Sequence, residues 1–344
     1  MAQINKPSDY FNTKLYTGNG STQSITGVGF QPDWCWFKRR DTGNANHALL
    51  DAVRGVTKFI QSNTTAAEAT SSNYLTSFNS DGFSLAGDGD VNENNANHVA
   101  WNWLGANGTS ANTDGSISST VSANTTSGFS IVSYTGTGSA ATVGHGLSAV
   151  PNVIIIKRLD QASNWCVYHS GLGGADHNLF LNTTSAIQTD TAIWNNTLPT
   201  TSVFSLGNNI DANGSGVGHI AYCFADVLGF SKFGSYTGNG SADGSFIYTG
   251  FKPAFVMLKN SSANGKWLMM DSKRPTAAPG NPNNARLFAD VVNAESTASN
   301  MIDLLSNGFK LRTSDSDHNA SGDINIYMAF AAQPLVGDNP ATAR

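Results

Sequence analysis

The chain of 344 residues repeats its own sequence three times, and this repetition constrains its fold more than any other feature. The string YTGNGS occurs at 16–21 and again at 236–241, and YTGTGS occurs at 134–139. A proline lies 16 or 17 residues after each of these tyrosines, and a lysine lies six residues after each proline. The prolines are Pro32, Pro151 and Pro253, and the lysines are Lys38, Lys157 and Lys259. Markers that recur in one order at near-constant distances predict three copies of one structural unit.

Two later markers extend the repeat toward the end of each copy. The segments GFSL (82–85), VFSL (203–206) and GFKL (308–311) come shortly before a last apolar run. Counting 18 residues from each phenylalanine aligns three aromatic residues: Trp101, Tyr222 and Tyr327.

A third marker places one polar residue at the same position of each copy: Asp51, His169 and Asp271. In the first and third copies an arginine follows three residues later, at Arg54 and Arg274. This spacing predicts a local ion pair that holds the end of a strand.

Short apolar runs separated by turn residues predict an all-β fold. The runs are 4–8 residues long and are bounded by Gly, Pro, Asn or Asp, which is typical of a β-sandwich or jelly roll. We therefore expect three tandem β-sandwich modules of about 100 residues each, with a rod and a pseudo-threefold cluster both open as arrangements. The expected bounds are 1–105, 106–229 with an N-terminal hairpin arm, and 230–344 with a C-terminal tail. Helix should be scarce, with one short turn within 294–307.

Composition and charge narrow the range of partners and compartments. Only 12% of the residues are charged and the net charge is −5, whereas binding to nucleic acid requires many cationic contacts to phosphates. We expect no nucleic-acid partner, and no membrane insertion, because no run of about 18 apolar residues occurs. The N-terminal MAQINKPSDYF lacks the apolar core of a signal peptide, which predicts synthesis in a cytoplasm and release by lysis.

Trp194 is the candidate for binding a ligand through an aromatic ring. It lies in TAIWNNTLP (191–199), which has no aromatic counterpart in the other copies. Trp34 instead aligns with Val153 and Phe255, and such exchange between apolar residues is typical of core packing. Trp194 is therefore either an exposed stacking platform or a residue that caps its loop.

An acidic loop precedes the last strand of each copy and offers candidate ligands for Ca²⁺. Oxygen-bearing side chains stand at alternate positions, as calcium loops require. The candidates are Asp88, Asp90 and Asn92 in the first copy and Asp315, Asp317 and Asn319 in the third. The final Glu of an EF-hand is absent, and a hairpin loop closed by Asx turns is the alternative. No other cofactor is expected.

The sequence does not predict an enzyme. Glycoside cleavage requires a pair of close carboxylates with different pKa values. Glu68 and Glu295 instead fall at nearly the same position of two copies, which indicates a repeated turn feature. No nucleophile elbow, zinc-protease helix motif or phosphate-binding loop occurs.

Several long strings resemble virion structural proteins of tailed bacteriophages, especially marine ones, which carry tandem lectin-like (concanavalin-like) modules. The strings are INKPSDYFNTKLYTGNGSTQSITGVGFQPD (4–33), STVSANTTSGFSIVSYTGTG (119–138), GSYTGNGSADGSFIYTGFKPAFVMLK (234–259) and NIYMAFA (325–331). The resemblance implies a tail fibre or appendage protein in the virion that contacts a host glycan or receptor. It also implies other virion proteins as partners and a homo-oligomer, a trimer by analogy with phage fibres.

Two other functions stay open at this point. The modules begin almost at residue 1, without the separate anchor and shaft of many tail fibres, which leaves a capsid decoration protein as the alternative. A polysaccharide-degrading enzyme on a lectin-like scaffold is the third hypothesis, and it requires a groove with close carboxylates in one module.

Overall fold

Antiparallel strands dominate the computed structural model, which describes residues 2–41, 45–275, 281–337 and 340–342. The all-β fold class is thereby confirmed. The described helices are four α-helical segments of four residues each and two 3-10 turns, Pro7–Asp9 and Ser170–Leu172.

Three groups of strands follow one another along the chain, and we call them units one, two and three. Unit one contains β1 (Phe11–Thr17), β2 (Gln23–Thr26), β3 (Trp34–Arg39), β4 (Ala48–Asp51), β5 (Lys58–Phe59), β6 (Ala69–Thr70), β7 (Leu75–Asn79), β8 (Gly82–Leu85), α1 (Gly89–Asn92) and β9 (Asn97–Trp103). Unit two contains β10 (Ser110–Asn112), β11 (Ser119–Asn124), β12 (Phe129–Thr135), β13 (Ala141–Gly144), β14 (Val153–Arg158), β15 (Trp165–His169), β16 (His177–Phe180), β17 (Gln188–Thr189), α2 (Thr191–Trp194), β18 (Val203–Leu206), α3 (Ile210–Asn213) and β19 (Gly218–Phe224). Unit three contains β20 (Ser231–Thr237), β21 (Phe246–Tyr248), β22 (Phe251–Asn260), β23 (Leu268–Asp271), β24 (Leu287–Phe288), β25 (Ile302–Leu305), β26 (Gly308–Leu311), α4 (Ser316–Asn319) and β27 (Ile324–Pro334).

Each unit combines a large sheet with a small one. The large sheets run β1-β9-β3-β4, β10-β11-β12-β19-β14-β15-β16-β17 and β20-β27-β22-β23-β24. The small sheets run β2-β8-β7, β13-β18 and β21-β26-β25. Apolar residues of both sheets form one buried cluster in every unit, which is the layer expected of a β-sandwich. Strand β25 lies inside 294–307, so the short helical turn expected there is wrong.

The three units also share a fourth core, which lies on the other face of the large sheets. It joins residues of all units, such as Trp34, Tyr222 and Phe255. The Trp34 ring stacks on the Tyr222 ring at 4.3 Å between centroids, and Trp101 meets Phe255 edge-on at 5.7 Å. Units two and three also contact each other, since the ring centroids of Phe224 and Phe330 lie 5.7 Å apart. The central strands are therefore buried on both faces, which explains why their sequences do not alternate between apolar and polar residues.

Hydrogen bonds between the units repeat in cyclic order. The Glu68 amide donates to the Leu159 carbonyl (2.9 Å), Ile187 to Ser261 (2.9 Å) and Glu295 to Arg40 (2.8 Å). The buried ammonium groups follow the same cycle: Lys157 donates to the Thr65 carbonyl, Lys259 to that of Thr184 and Lys38 to that of Val292, at 3.0, 3.1 and 3.0 Å. Each unit thus contacts both others, and the chain closes into a pseudo-threefold cluster rather than a rod.

The strand register corrects one part of the sequence alignment. Trp34 pairs with Trp103 and Phe255 pairs with Phe330, so the equivalent of Trp101 in unit three is Met328, and Tyr327 lies one position away. The offset arises before α4, because Asn319 follows Phe309 by ten residues whereas Asn92 follows Phe83 by nine. The one additional residue lies in the loop, where it leaves the strands intact.

Candidate functional site

Trp194 is buried, so the prediction of an exposed stacking platform is wrong. Its side chain is 2% exposed and packs edge-on against Tyr168 at 5.8 Å. Helix α2 stands in the chain where β7 and β25 stand in the other units, and the small sheet of unit two has only two strands among the described residues. Ile193 and Trp194 fill part of the core of unit two. The ring has a packing role there.

The acidic loops begin short helical turns. The Asp88 side chain accepts a hydrogen bond from the Asp90 amide at 2.9 Å, and Asp315 accepts one from Asp317 at 2.8 Å. Asn209 caps α3 in the same way in unit two. These are N-caps, in which a side-chain oxygen satisfies an amide at the start of a helix.

The asparagine that follows each cap is buried and fastens the YTGxGS turn. In unit one the Asn92 amide nitrogen donates to the Ala86 carbonyl, and its oxygen accepts from the Asn19 amide at 3.0 Å. In units two and three Asn213 and Asn319 make matching contacts, so the repeated turn and the repeated loop are one structural device.

The predicted calcium sites are therefore wrong for the two asparagines, whose amides are occupied by the backbone. The Asp90 carboxylate accepts hydrogen bonds from the Asn46 amide and from the Tyr74 hydroxyl, at 3.0 and 2.9 Å. Across the described ranges, no group of three or more His, Cys, Asp or Glu residues is placed to hold a metal ion.

Replacing Asn213 by alanine is expected to lower the free energy of unfolding by about 1–3 kcal/mol. The change leaves the Thr137 amide without its acceptor and the buried Gly207 carbonyl without a donor. Urea unfolding measures the loss. The exposed Thr201 serves as control: its replacement by alanine should stay within about 0.5 kcal/mol. Equal stability of Asn213→Ala and Thr201→Ala would refute the role of the asparagine.

The predicted local ion pairs are present in units one and three. Arg54 Nε lies 2.6 Å from Asp51 Oδ2, and Arg274 Nε lies 2.5 Å from Asp271 Oδ2. Glu68 and Glu295 each pair with the arginine of their own unit, at 3.2 and 2.9 Å, so they are a repeated feature as predicted.

The same aspartates also bind a neighbouring unit, which the sequence analysis missed. Tyr222 donates its hydroxyl to Asp51 at 2.8 Å, and Trp101 donates its indole N–H to Asp271 at 3.0 Å. In unit two His169 takes the place of the aspartate and bonds the Tyr327 carbonyl at 3.1 Å. In the sequence, these contacts between units were indicated only by the polar residue that each copy carries at this position.

Several titratable groups with shifted pKa values have structural roles in the fold. Burial lowers the pKa of Lys38, Lys157 and Lys259 to about 8. Burial also raises the pKa of Asp33 to about 6, against the effect of the Asn107 and Gly105 amides that it accepts from. The lysines occupy equivalent positions in three units, and Asp33 ties down the chain that leaves unit one. All four groups bond to backbone atoms, which indicates a structural role.

Three surface clefts lined by described residues are candidate binding places. A polar pocket of about 420 Å³ on unit two is lined by Ser139, Thr191, Asn195 and Asn208 among others. A groove of about 290 Å³ runs along β1 beside Gly27 and Lys273. A smaller cleft of about 160 Å³ lies where unit two passes into unit three and is lined by Asp226, Val227, Leu228, Gly229, Ser231, Lys232 and Thr249.

The comparisons with known proteins give a family without an activity. No helix among the described residues is long and apolar enough to cross a membrane. A search of curated proteins found no match. The model of the family described as Domain of unknown function (DUF7483) matches residues 6–334, nearly the whole chain, and the protein therefore belongs to that family.

Proposed function

We propose that the protein is a structural component of a bacteriophage particle, of tail fibre or appendage type, displayed on the virion and contacting the host surface. The observation that carries this proposal is the closure of three sandwich units around a shared core. A chain built in this way presents loops and sheet edges around one closed core. The resemblance of its repeated strings to phage virion proteins supports the same conclusion.

The contacts between the units suit a protein that works outside cells in varying salt. They include buried aromatic rings, buried lysines, backbone groups and the buried carboxylates of Asp51 and Asp271, and salt screens such buried contacts far less than exposed charges. The surface carries few charges, since only 12% of the residues are charged.

The pocket on unit two supports contact with a neutral glycan. Ser139, Thr191, Asn195 and Asn208 line it, and these residues carry hydroxyl or amide groups without charge. Sugar hydroxyls pair well with such groups, which both donate and accept hydrogen bonds. Gly207 also lines the pocket, and a larger residue would not fit there because a Cβ would lie 2.3 Å from the Ala192 carbonyl oxygen.

The first test locates the protein on particles by mass spectrometry and immunogold labelling. We expect a few copies per particle at the tail. A copy number that scales with capsid sites would favour a decoration protein instead, and absence from purified particles would refute both. Light scattering on the purified protein tests the homotrimer that we propose by analogy with phage fibres.

The second test concerns the host contact. We expect the labelled protein to bind host cells, and Asn208→Ala with Thr191→Val to weaken that binding about tenfold or more, because each change removes polar groups from the pocket. Thr201→Val, an exposed threonine outside the pocket lining, is the matched control. Unchanged binding by the double variant would remove the pocket from the proposal, and release of reducing ends from host polysaccharide would show an enzyme instead.

A further inference from the structure

The units differ in whether the first strand of the large sheet pairs with an additional strand on its outer side. Strand β12 of unit two pairs with β11, which in turn pairs with β10. The equivalent strand of unit one, β1, pairs with β9 alone within the part of the chain that the structure describes. Unit two therefore shows, within the same protein, that this edge accepts an additional antiparallel strand.

The groove of about 290 Å³ lies along this edge. Its lining includes four consecutive residues of β1, Asn12–Leu15, together with Gly27 and Lys273. Four residues of a strand span about 13 Å. The lining therefore offers a stretch of strand long enough to pair with a short extended segment.

The equivalent place between units two and three is closed by two glycines. Strand register makes Gly234 the equivalent of Lys14, and Gly171 the equivalent of Lys273. A Cβ on Gly171 would lie 3.1 Å from the Gly234 backbone, so these two segments touch. Between units one and three, the same two positions carry long cationic side chains, Lys14 of unit one and Lys273 of unit three, and there the groove is open.

The groove is positively charged. Among the described residues, no carboxylate lies within 4.0 Å of the ammonium group of Lys14 or Lys273. The positive charge of Lys14 contributes to lowering the pKa of Asp81. The two oxygens of the Asp81 carboxylate accept hydrogen bonds from the backbone amides of Gly27 and Gly29. The Thr13 hydroxyl in the lining is buried and has no hydrogen-bond partner.

We propose that this groove binds an extended strand of another protein, added antiparallel to β1, with an acidic side chain facing Lys14 and Lys273. Backbone hydrogen bonds to the open edge would supply affinity, and the lysines would select the partner by charge. A second copy fits less well, because pairing through the same edge brings lysines of both copies together, and edge lysines oppose such pairing. The inference is independent of the proposed function, since it concerns a protein partner wherever the chain is located.

Two synthetic peptides test the proposal with the full-length protein. Both copy residues 118–125 of the arm, SSTVSANT, in which Val121 pairs with Val132, the equivalent of Lys14. One peptide carries Val121→Glu and the other Val121→Lys. Fluorescence anisotropy measures their affinities, and hydrogen exchange with mass spectrometry follows the amides of 11–17 and 231–237.

We expect the glutamate peptide to bind about tenfold more tightly than the lysine peptide and to slow exchange at 11–17 but not at 231–237. Lys14→Ala should reduce the preference and Lys14→Glu should abolish it, because Lys273 remains in both variants; the melting temperature of each variant verifies that it is folded. Equal binding of both peptides, no binding, or protection at 231–237 instead would overturn the proposal. Displacement by inorganic phosphate at millimolar concentration, without protection at 11–17, would show a small-anion site and would overturn it too.

Discussion

Replacing Arg274 by leucine should lower the free energy of unfolding by about 3–5 kcal/mol, because it leaves a buried carboxylate without its cation. The side chains of Arg274 and Asp271 are both fully buried. The guanidinium also donates to Glu295 at 2.9 Å and to the Met269 carbonyl at 2.9 Å. Asp271 is an acceptor for Trp101 of unit one, so the loss should reach the contact between units. Urea unfolding followed by tryptophan fluorescence measures both effects.

Unit two supplies the matched control for this experiment. Its equivalents of Asp271 and Arg274 are His169 and Leu172, which form a buried position without an ion pair. Combining Asp271→His with Arg274→Leu should therefore be less destabilising than Arg274→Leu alone, since no unpaired carboxylate remains. Glu295 keeps a partner in both variants, because Arg40 lies 2.7 Å from it. A double variant less stable than the single one would contradict the explanation.

The repeat was sufficient to predict the units but not their closure. Turn strings, prolines and lysines recur because each unit needs the same turns and the same central strand. Several of the contacts that join the units are made to backbone carbonyls, and any residue type can supply a carbonyl. The acceptors for the three lysines are the carbonyls of Thr65, Thr184 and Val292, so the position tolerates valine in place of threonine without loss of the contact.

Trp194 and 294–307 show a second limit of sequence analysis. Trp194 has no aromatic counterpart because unit two builds that part of its core from a helical turn where its neighbours use a strand. In β25, Ile302 and Leu304 are buried whereas Asp303 and Leu305 are half-buried, which is the two-residue period of a strand. Four residues are too few for that period to be distinguished from a helical turn by pattern alone.

Acidification from pH 7 to pH 4 should destabilise the protein, chiefly through its buried histidines. Burial lowers the pKa of His98, His169 and His219 from 6.5 to about 4. The unfolded chain therefore takes up protons first as the pH falls below about 6.5, and each histidine costs about 3 kcal/mol by pH 4. Asp33 and Asp290 act in the opposite direction, because burial raises their pKa to about 6.

These three histidines outweigh the two aspartates by about 4 kcal/mol, and His47 and His145, whose pKa burial also lowers, add to the loss. Urea unfolding at pH 7, 5 and 4 measures the loss. Unit three provides the control, since Asn325 takes the position of His98 and His219 in its last strand. His98→Asn with His219→Asn should remove most of the acid loss, because asparagine takes up no proton. His47, His145 and His169 remain in the double variant and account for the acid loss that is left. An acid loss of the same size in the double variant would place its origin in the carboxylates of the ion pairs instead.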